Sequence, residues 1–388
     1  MIPYGKQNII NQDIKSVIDV LKSDFLTQGP ITPKFEKKLA EYCNSKYSVA
    51  VVNATSALHI SCLALGVKKG DLVWTSPISF VASANAALYC GAEVDFVDIN
   101  LDSYNMCVSS LEKKLINAKK KGKLPKVVIP VHLAGQSCEM KEIHELSQKY
   151  NFRIIEDASH AIGAEYLNEK VGNCKYSDIT VFSFHPVKII TTCEGGACMT
   201  NDKDHFEKLC KLRSHGIVRN QEDMENISHG SWYYEQIDLG FNFRLNDLQS
   251  ALGISQLQRL DYFVKLRHEV SKFYNDTLDN IENIILPKQS KNTYSSYHLF
   301  IIRVASNDSN SRKNLFEKLR NNGIFVNVHY IPIYKQPYYK KLGYKNLENA
   351  EIYYNQAISI PIYPYLKKSE LNKIVSVIKS EQNFQTLF

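Results

Sequence analysis

Short apolar runs alternate with amphipathic segments between about residues 47 and 200 of the chain. The runs are rich in Val, Ile and Phe and predict buried strands, whereas the segments between them predict helices. Such alternation is typical of an α/β fold, in which helices cover a mostly parallel sheet and ligands bind at the carboxyl ends of its strands. The predicted strands are SVAVVN, DLVWTS, EVDFVDI, KVVIPV, FRIIED, ITVFSF and GACMTN, and the predicted helices include SALHISCLALG, VASANAALYCGA and MKEIHELSQKY.

The pattern changes in the C-terminal third of the chain. After Arg244 a long helical pattern begins, with the sequence LNDLQSALGISQLQRLDYFVKLRHEVSKFYNDTL. Beyond about residue 283, YHLFIIRV and IFVNVHYI predict strands, while SRKNLFEKLRNNG and SELNKIVSVIKS predict helices. We therefore predict a large α/β domain with an N-terminal substrate segment over residues 1–245, followed at 246–388 by linking helices and a smaller α+β domain.

Composition and charge limit the kinds of protein to which this chain can belong. The 388 residues carry a formal net charge of +7 and 9 cysteines, without a Cys-x-x-Cys motif or the spacing of zinc ligands. Scattered cysteines are typical of reduced thiols, so we predict a cytoplasmic protein that binds no metal. The sequence lacks a signal-peptide layout and a long apolar run, which predicts no contact with a membrane. The basic residues are spread along the chain, which argues against a nucleic-acid-binding protein. The modest positive charge would suit a phosphorylated small-molecule substrate.

One lysine stands between two predicted buried strands. In SDITVFSFHPVKIITTCEGGACMTND, Lys188 follows the apolar run VFSF and precedes Gly195 and Gly196. A loop lysine is usually exposed, but partial desolvation at a strand end lowers the pKa of the amine and makes it a nucleophile toward an aldehyde. The two glycines allow a tight turn near a ligand. Lys188 is therefore a candidate catalytic residue.

Two further stretches place polar groups at strand ends. RIIEDASHAIGAEY puts Asp157 at the end of an apolar strand and His160 three residues later. Asp157 either caps the next turn or is the anionic partner of a protonated pyridine nitrogen, which pyridoxal phosphate (PLP) enzymes need. His160 is either a structural histidine or a neighbour of that ring. In VVNATSALHI, small polar residues open a helix, where they either cap it or bind a phosphate.

Together these stretches resemble the fold-type I PLP enzymes, and more closely the sugar aminotransferases of the DegT/DnrJ/EryC1/StrS family. The resemblance implies the PLP-dependent transferase fold type I, which is aspartate aminotransferase-like. It also implies transamination, because the related sugar dehydratases replace the lysine by histidine. Cys193 departs from the family pattern, since many relatives have glycine there. The motifs, in order along almost the whole chain, are NATSALH, SPISFVASANAALYCGAEVDFVDI, PVHLAGQ, EDASHAIGAEY, FSFHPVK with EGGA, LRSHG and GFNFRLNDLQSALG.

The resemblance implies a role for each matching residue. Lys188 matches the lysine that binds the cofactor covalently, and Asp157 matches the partner of the pyridine nitrogen, with Phe80 stacked on the ring and His160 over or beside it. Asn242 matches an asparagine that reaches the cofactor phosphate from the neighbouring subunit, which implies a homodimer with shared active sites. The remaining phosphate-binding positions are matched by Ala54, Thr55, Ser56 and Ser183.

The N-terminal segment and the stretch FVNVHYIPIYKQPYY are similar to one branch of this family, which aminates C4 of a UDP-4-keto-6-deoxy-N-acetylhexosamine in pseudaminic acid synthesis. This similarity implies L-glutamate as amino donor and a UDP-keto-sugar as acceptor. The alternatives are a branch that makes another 4-amino sugar, such as the bacillosamine or legionaminic acid precursor, and a non-catalytic PLP-binding sensor of the same fold. The implied substrate contacts are Tyr4, Asp24, Phe25, Leu26, Thr27, Val328, His329, Tyr330 and Ile331.

Overall fold

The computed structural model of the protein describes residues 1–305 and 310–385. The strands in these residues are β1 (Tyr47–Val51), β2 (Leu72–Thr75), β3 (Glu93–Phe96), β4 (Val127–Ile129), β5 (Arg153–Asp157), β6 (Glu165–Tyr166), β7 (Glu169–Lys170), β8 (Ile179–Ser183), β9 (Gly196–Thr200), β10 (Ile217–Val218), β11 (Glu235–Gln236), β12 (Ile284–Ile285), β13 (Thr293–Tyr294), β14 (Phe300–Val304) and β15 (Ala357–Ile360). The α-helices are α1 (Asn11–Leu21), α2 (Ile31–Cys43), α3 (Ala54–Ala64), α4 (Ala82–Tyr89), α5 (Val108–Lys120), α6 (Met140–Tyr150), α7 (Lys203–Arg213), α8 (Asp247–Leu257), α9 (Leu260–Leu278), α10 (Ser311–Asn321), α11 (Pro337–Lys340), α12 (Glu348–Gln356) and α13 (Lys368–Gln385).

A seven-stranded sheet forms the centre of the protein. Its strand order is β1-β9-β8-β5-β4-β2-β3, and β9 alone runs antiparallel to its neighbours. Every residue of β8 and of β9 is buried, as expected for strands that are covered on both faces. These strands are the seven that the apolar runs predict, so the predicted mostly parallel α/β sheet is confirmed.

A second, antiparallel sheet follows in the C-terminal part, with the order β12-β14-β15. Its apolar residues form a core with the apolar faces of α9, α10 and α13. The first residues of the chain join this core: Ile2 is buried in it, Ile2 N donates to Gly323 O at 2.8 Å, and Phe325 N donates to Ile2 O at 2.8 Å. The N-terminal segment thus contacts the C-terminal sheet layer, while the predicted division at residue 245 stays a prediction.

The long helical pattern after Arg244 corresponds to more than one helix, as the prediction of linking helices allows. The chain forms two helices, α8 and α9, and Arg259 between them has φ −110° and ψ 5°. Arg259 Nη2 donates to Asp13 Oδ2 at 2.5 Å, and Arg259 Nη1 donates to Asn8 Oδ1 at 2.6 Å. Because the carboxyl group of Asp13 is fully buried, this ion pair anchors the N-terminal segment at the break between the helices. A local helical period carries no information about such a partner.

The strand predicted for IFVNVHYI is wrong. Residues 324–331 make two isolated bridges, Ile324 to Ile2 and Asn327 to Ser359, in place of a continuous ladder. The side chains take over the hydrogen bonding, since His329 Nδ1 lies 2.8 Å from Ser359 Oγ. Ile324 and Val326 are buried in the apolar core of the C-terminal sheet, whereas the four consecutive residues 327–330 line a cavity, so the alternating pattern does not continue as a paired strand.

Three general features concern the described part of the chain as a whole. Among its helices, none has both the length and the apolar character that crossing a bilayer would require. Among its His, Cys, Asp and Glu side chains, no group of three or more is arranged to hold a metal ion. All 9 cysteines of the sequence lie in these residues and are free thiols.

Candidate functional site

A cavity of about 480 Å³ lies where the carboxyl ends of the central strands meet the segment after residue 326. Asp157 is the last residue of β5, Ser183 is the last residue of β8, and α3 begins at Ala54 just after β1. Strands β5 and β8 are parallel neighbours, so they end at the same edge of the sheet. The three stretches that the sequence analysis singled out therefore meet at one place.

Lys188 lies in the loop that joins β8 to β9. Phe184 N donates to Gly195 O at 2.9 Å and closes the base of this loop, and Lys188 N donates to His185 O at 2.9 Å within it. Lys188 is partly buried in the cavity wall. Burial lowers the pKa of its ammonium group to about 8, against the opposing attraction of the Asp157 carboxylate. A fraction of the amine is therefore neutral near pH 7 and able to act as a nucleophile.

The carboxylate of Asp157 is buried and held by three hydrogen bonds. Ser83 Oγ donates to Oδ2 at 2.5 Å, while Ser159 N and Ser159 Oγ donate to Oδ1 at 3.1 and 2.6 Å. Its side chain also lines the cavity. A fixed, buried anion of this kind is suited to binding a cationic N–H group, since such a partner compensates for the loss of hydration.

The N-terminus of α3 offers two free amide groups to the cavity. Asn53 caps the helix by accepting from Ser56 N at 2.8 Å. The N–H groups of Ala54 and Thr55 meet no acceptor among residues 1–305 and 310–385. A side chain at Gly196 would place its Cβ 2.7 Å from Ala54 N, so only glycine lets β9 pass so close to this turn. Free amides at the positive end of a helix dipole suit a phosphate.

His160 and Tyr330 form a short hydrogen-bond chain along the cavity wall. Ala134 N donates to His160 Nδ1 at 3.3 Å, which leaves the proton of a neutral ring on Nε2, 3.2 Å from Tyr330 Oη. Burial, assisted by the positive charge of Lys188, keeps the pKa of His160 well below its usual value, so this ring is neutral. Burial also raises the pKa of Tyr330, which stays protonated. Its hydroxyl hydrogen is then available to an acceptor in the cavity.

His329 and Tyr4 form another part of the wall. Burial, with the charge of Lys188 acting in the same direction, lowers the pKa of His329 to about 3. The ring is therefore neutral, and its centroid lies 5.4 Å from that of Tyr4. Burial raises the pKa of the Tyr4 hydroxyl as well. This part of the wall thus offers neutral groups that can donate or accept hydrogen bonds, in contrast to the carboxylate of Asp157.

The cavity brings together most of the residues nominated by the sequence. Phe80 is 60 % exposed, and its ring centroid lies 6.3 Å from that of Tyr330, so a large apolar ring faces open space here. Apolar surface of this size is stabilised when a ligand covers it. The nominated residues in the wall are Tyr4, Ala54, Thr55, Phe80, Asp157, His160, Ser183, Lys188, Val328, His329 and Tyr330.

The single chain does not place the other nominated residues in this wall. Ser56 is buried, and its N–H is taken by the helix cap. Ile331 and Asn242 are exposed outside the cavity. The segment 24–27 is exposed next to the start of α8, where Asp247 N donates to Leu26 O at 3.0 Å. The residues concerned in that segment are Asp24, Phe25, Leu26 and Thr27.

Several cavity groups were not nominated from the sequence. Ser159 had a recognisable signal, because a hydroxyl two residues after an aspartate commonly bonds back to that carboxylate in a turn. Ser83 and His298 had none, since each meets its partners only through packing of distant segments. The polar groups missed in the wall are Asn53, Ser79, Ser159, His185, Glu194, His298 and Asn327, and Ser83 supports the wall through its bond to Asp157.

Comparison with known proteins gives a consistent result. The sequence profile of the DegT/DnrJ/EryC1/StrS aminotransferase family matches residues 7–379. The chain is 41% identical over 365 residues to a UDP-4-amino-4,6-dideoxy-N-acetyl-beta-L-altrosamine transaminase of Campylobacter jejuni, covering 94% of this chain and 93% of that protein. Among solved structures it resembles Helicobacter pylori PseC, an aminotransferase involved in the biosynthesis of pseudoaminic acid, with 34% identity, a TM-score of 0.90 and coverage of 99% and 100%. It also resembles the PLP-form of a putative sugar aminotransferase, Spr1654, from Streptococcus pneumoniae, with 27% identity, a TM-score of 0.88 and coverage of 99% of both chains.

PLP is the cofactor of that family, and the residues of the cavity fit it. Lys188 supplies an amine of lowered pKa for the aldehyde carbon. Asp157 supplies a fixed carboxylate for a protonated pyridine nitrogen, and the free amides of Ala54 and Thr55 supply donors for a phosphate. The exposed ring of Phe80 supplies an apolar surface for an aromatic ring.

Proposed function

The chain belongs to the DegT/DnrJ/EryC1/StrS aminotransferase family and is a PLP-dependent sugar aminotransferase, and on that premise we propose its reaction. The amino donor is L-glutamate, and the acceptor is C4 of a UDP-4-keto-6-deoxy-N-acetylhexosamine. The product is UDP-4-amino-4,6-dideoxy-N-acetyl-β-L-altrosamine, a precursor of pseudaminic acid.

The observation that carries this proposal is the 41% identity to the Campylobacter jejuni transaminase over nearly the whole of both chains. The structure is compatible with it, because segments from both ends of the chain lie in the wall near Lys188. Tyr4 comes from the N-terminal segment, while His329 and Tyr330 come from the C-terminal part. Neutral aromatic and imidazole groups of this kind suit the hydroxyl, amide and ring groups of a sugar nucleotide.

Bound PLP supplies an electron sink for the negative charge that develops beside the transferred nitrogen. The Nζ atom of Lys188, when neutral, takes the Cα proton of the amino donor, and in the second half-reaction it delivers a proton to C4 of the sugar. Asp157 holds a proton on the pyridine nitrogen by its fixed negative charge. His160 orients the hydroxyl of Tyr330, which donates toward an oxygen in the cavity.

We also propose that the enzyme is a homodimer with shared active sites and that it works in the cytoplasm. Asn242 is exposed and lies outside the wall of its own cavity, which suits a residue that serves a neighbouring subunit. Free cysteines throughout the described chain suit a reducing compartment.

The test is to incubate the PLP-loaded protein with L-glutamate and UDP-4-keto-6-deoxy-L-AltNAc and to identify the product by NMR. We expect one amino sugar with the β-L-altro configuration and a stoichiometric amount of 2-oxoglutarate. Turnover of another nucleotide-linked keto sugar, with none of this one, would reject the proposed substrate and keep the reaction class. An unchanged PLP absorbance on addition of glutamate would reject glutamate as the donor, and the same result with other amino acids would indicate a non-catalytic sensor.

A further inference from the structure

His298 is a cavity residue for which the proposed reaction has so far no use. It lies two residues before β14, is 4% exposed and lines the cavity. Its ring centroid is 4.3 Å from that of His160, with an angle of 45° between the planes. Its backbone is firmly held, because the buried Arg267 Nη1 donates to His298 O at 3.3 Å and to Ile362 O at 3.0 Å.

The two ring nitrogens of His298 have different surroundings. Nδ1 is buried and has no hydrogen-bond partner among residues 1–305 and 310–385. Nε2 makes no hydrogen bond within the described part of the chain either, but it is not enclosed as Nδ1 is, so it faces the cavity that the residue lines. Burial lowers the pKa of His298 well below its usual value, and the positive charges of Lys188 and Arg267 act in the same direction. The ring is therefore neutral and carries one proton.

The position of that proton follows from the cost of burying polar groups. A proton on Nδ1 would leave a buried N–H donor without an acceptor, which costs the desolvation penalty of that group without any compensating bond. A proton on Nε2 leaves only a lone pair buried, which is the more common defect in proteins, and puts the N–H at the cavity. The ring should therefore be a neutral hydrogen-bond donor at the cavity wall.

We propose that His298 is a substrate-contact residue, whose Nε2–H donates a hydrogen bond to an oxygen atom of one of the two substrates. The acceptor is a carbonyl, hydroxyl or carboxylate oxygen, either of the amino donor or of the keto sugar. The neighbouring Tyr330 hydroxyl, oriented by His160 at 3.2 Å, offers a second donor from the same part of the wall. This inference rests on the proposed function, because it assigns a contact within the same site.

Two variants of His298 distinguish the loss of its hydrogen-bond donor from a change in the shape of its side chain. His298→Phe keeps a flat ring and removes the donor, whereas His298→Gln keeps an N–H donor near the position of Nε2. His268→Phe is the matched control, since His268 contacts the same segment through Ser295 O at 2.7 Å but lies outside the cavity. The two half-reactions are followed separately by the absorbance of bound PLP, and equilibrium binding of the sugar nucleotide is measured by calorimetry.

We expect His298→Phe to lose about tenfold in kcat/KM in one half-reaction, the size of a missing hydrogen bond, mainly through KM. His298→Gln should stay within about threefold of wild type, and His268→Phe should be unchanged. A loss confined to the glutamate half-reaction identifies the amino donor as the acceptor of the bond, and a loss confined to the sugar half-reaction identifies the sugar. Equal losses in His298→Phe and His298→Gln, or no loss in either, would overturn the proposal.

A measurement on the wild-type protein tests the proposed role of His298 even if His298→Phe does not fold. ¹⁵N NMR of histidine-labelled protein at pH 7 should show His298 with its proton on Nε2, and the Nε2 signal should shift when the substrate identified above is added. A proton on Nδ1, a cationic ring, or a signal that is unaffected by both substrates would contradict the assignment. The tautomer is independent of which sugar is used, so a wrong sugar would appear separately, as a wild-type enzyme that reacts with glutamate alone.

Discussion

The hydroxyl oxygen of Tyr330 lies 3.2 Å from Nε2 of His160, although 170 positions separate the two residues in the sequence. His160 follows the end of β5 in the central sheet, whereas Tyr330 comes from the segment that bridges to β15 of the C-terminal sheet. A second contact supports the first, because Ser296 Oγ donates to His160 O at 2.8 Å. The geometry of the cavity therefore depends on how the C-terminal layer packs against the central sheet.

Lys188→Ala should fold like the wild type and lose nearly all turnover, because no other lysine lines the cavity among the described residues. The cofactor can still bind without a covalent bond, through Asp157 and the amides of α3. The absorbance band of lysine-bound PLP should therefore be missing, while dialysis releases the cofactor. Turnover within a few-fold of wild type would reject Lys188 as the catalytic residue.

The lowered pKa of Lys188 should make the cofactor-free protein pH-dependent in stability. Its pKa falls from 10.5 to about 8 on folding, so the unfolded chain binds more protons between these values and the unfolding free energy rises with pH across that window. Lys188→Met removes this cost and should be more stable than wild type by about 1–3 kcal/mol at pH 7. The difference should shrink as the pH rises from 8 toward 10.5.

Urea unfolding of both cofactor-free proteins at several pH values measures this difference. Lys37→Met is a suitable control, because the side chain of Lys37 is 79% exposed and should show no such trend. A difference between Lys188→Met and wild type that stays constant from pH 7 to pH 10 would mean that the amine is not desolvated in the fold.

Asp157→Asn should keep the fold and the cofactor but slow both half-reactions by orders of magnitude. The amide retains an oxygen for the donors Ser83 or Ser159, yet it has no negative charge to hold a proton on the pyridine nitrogen. Single-turnover absorbance changes with glutamate measure the effect. Unchanged rates would show that Asp157 has a purely structural role.

Gly135→Ala should destabilise the turn that packs against the backbone of the cavity residues His160 and His298. Gly135 has φ +98°, and an added Cβ would lie 3.0 Å from both His160 O and His298 N. Gly343→Ala is the matched control, because Gly343 also has positive φ, at +80°, but its Cβ would meet nothing within 4 Å. Both variants incur backbone strain, while the clash should cost Gly135→Ala about 1–3 kcal/mol more in unfolding free energy. Equal destabilisation, measured by urea unfolding, would show that the turn adapts to the extra atom.

Mixed dimers test the proposed role of Asn242. Inactive Lys188→Ala and inactive Asn242→Asp, in which a negative charge repels the cofactor phosphate, should regain activity when their subunits are exchanged. By the symmetry of a two-fold interface, each mixed dimer then holds one site with both defects and one site with neither. Co-expression with two different tags isolates these dimers for assay.

This experiment requires that Asn242→Asp alone be dimeric and strongly impaired, which gel filtration and kinetic assays establish. Given those controls, mixed dimers without recovered activity would place Asn242 in the site of its own subunit or outside any site.

The sequence by itself determined the central sheet and the positions of Lys188 and Asp157 relative to it. Both results follow from local information, because a run of apolar residues forms a strand in a buried sheet and parallel strands end at the same edge. The residues that come directly after such strands must therefore lie near one another, whatever the details of packing. The sequence motifs also indicated the family, and with it the fold and the cofactor.

Only the tertiary structure decided what surrounds these residues. Ser83 reaches Asp157, and His298 reaches His160, through contacts between segments far apart in the chain, for which no local pattern exists. The alternation in IFVNVHYI predicts a strand, but the stretch makes only two isolated bridges, because alternation reports which side chains are buried and not whether a neighbouring strand pairs with the backbone. Arg259, at the break between α8 and α9, meets its distant partner Asp13 in the same way. Periodicity reports only the direction of a side chain, whereas the partner that it meets there is set by the packing of the whole chain.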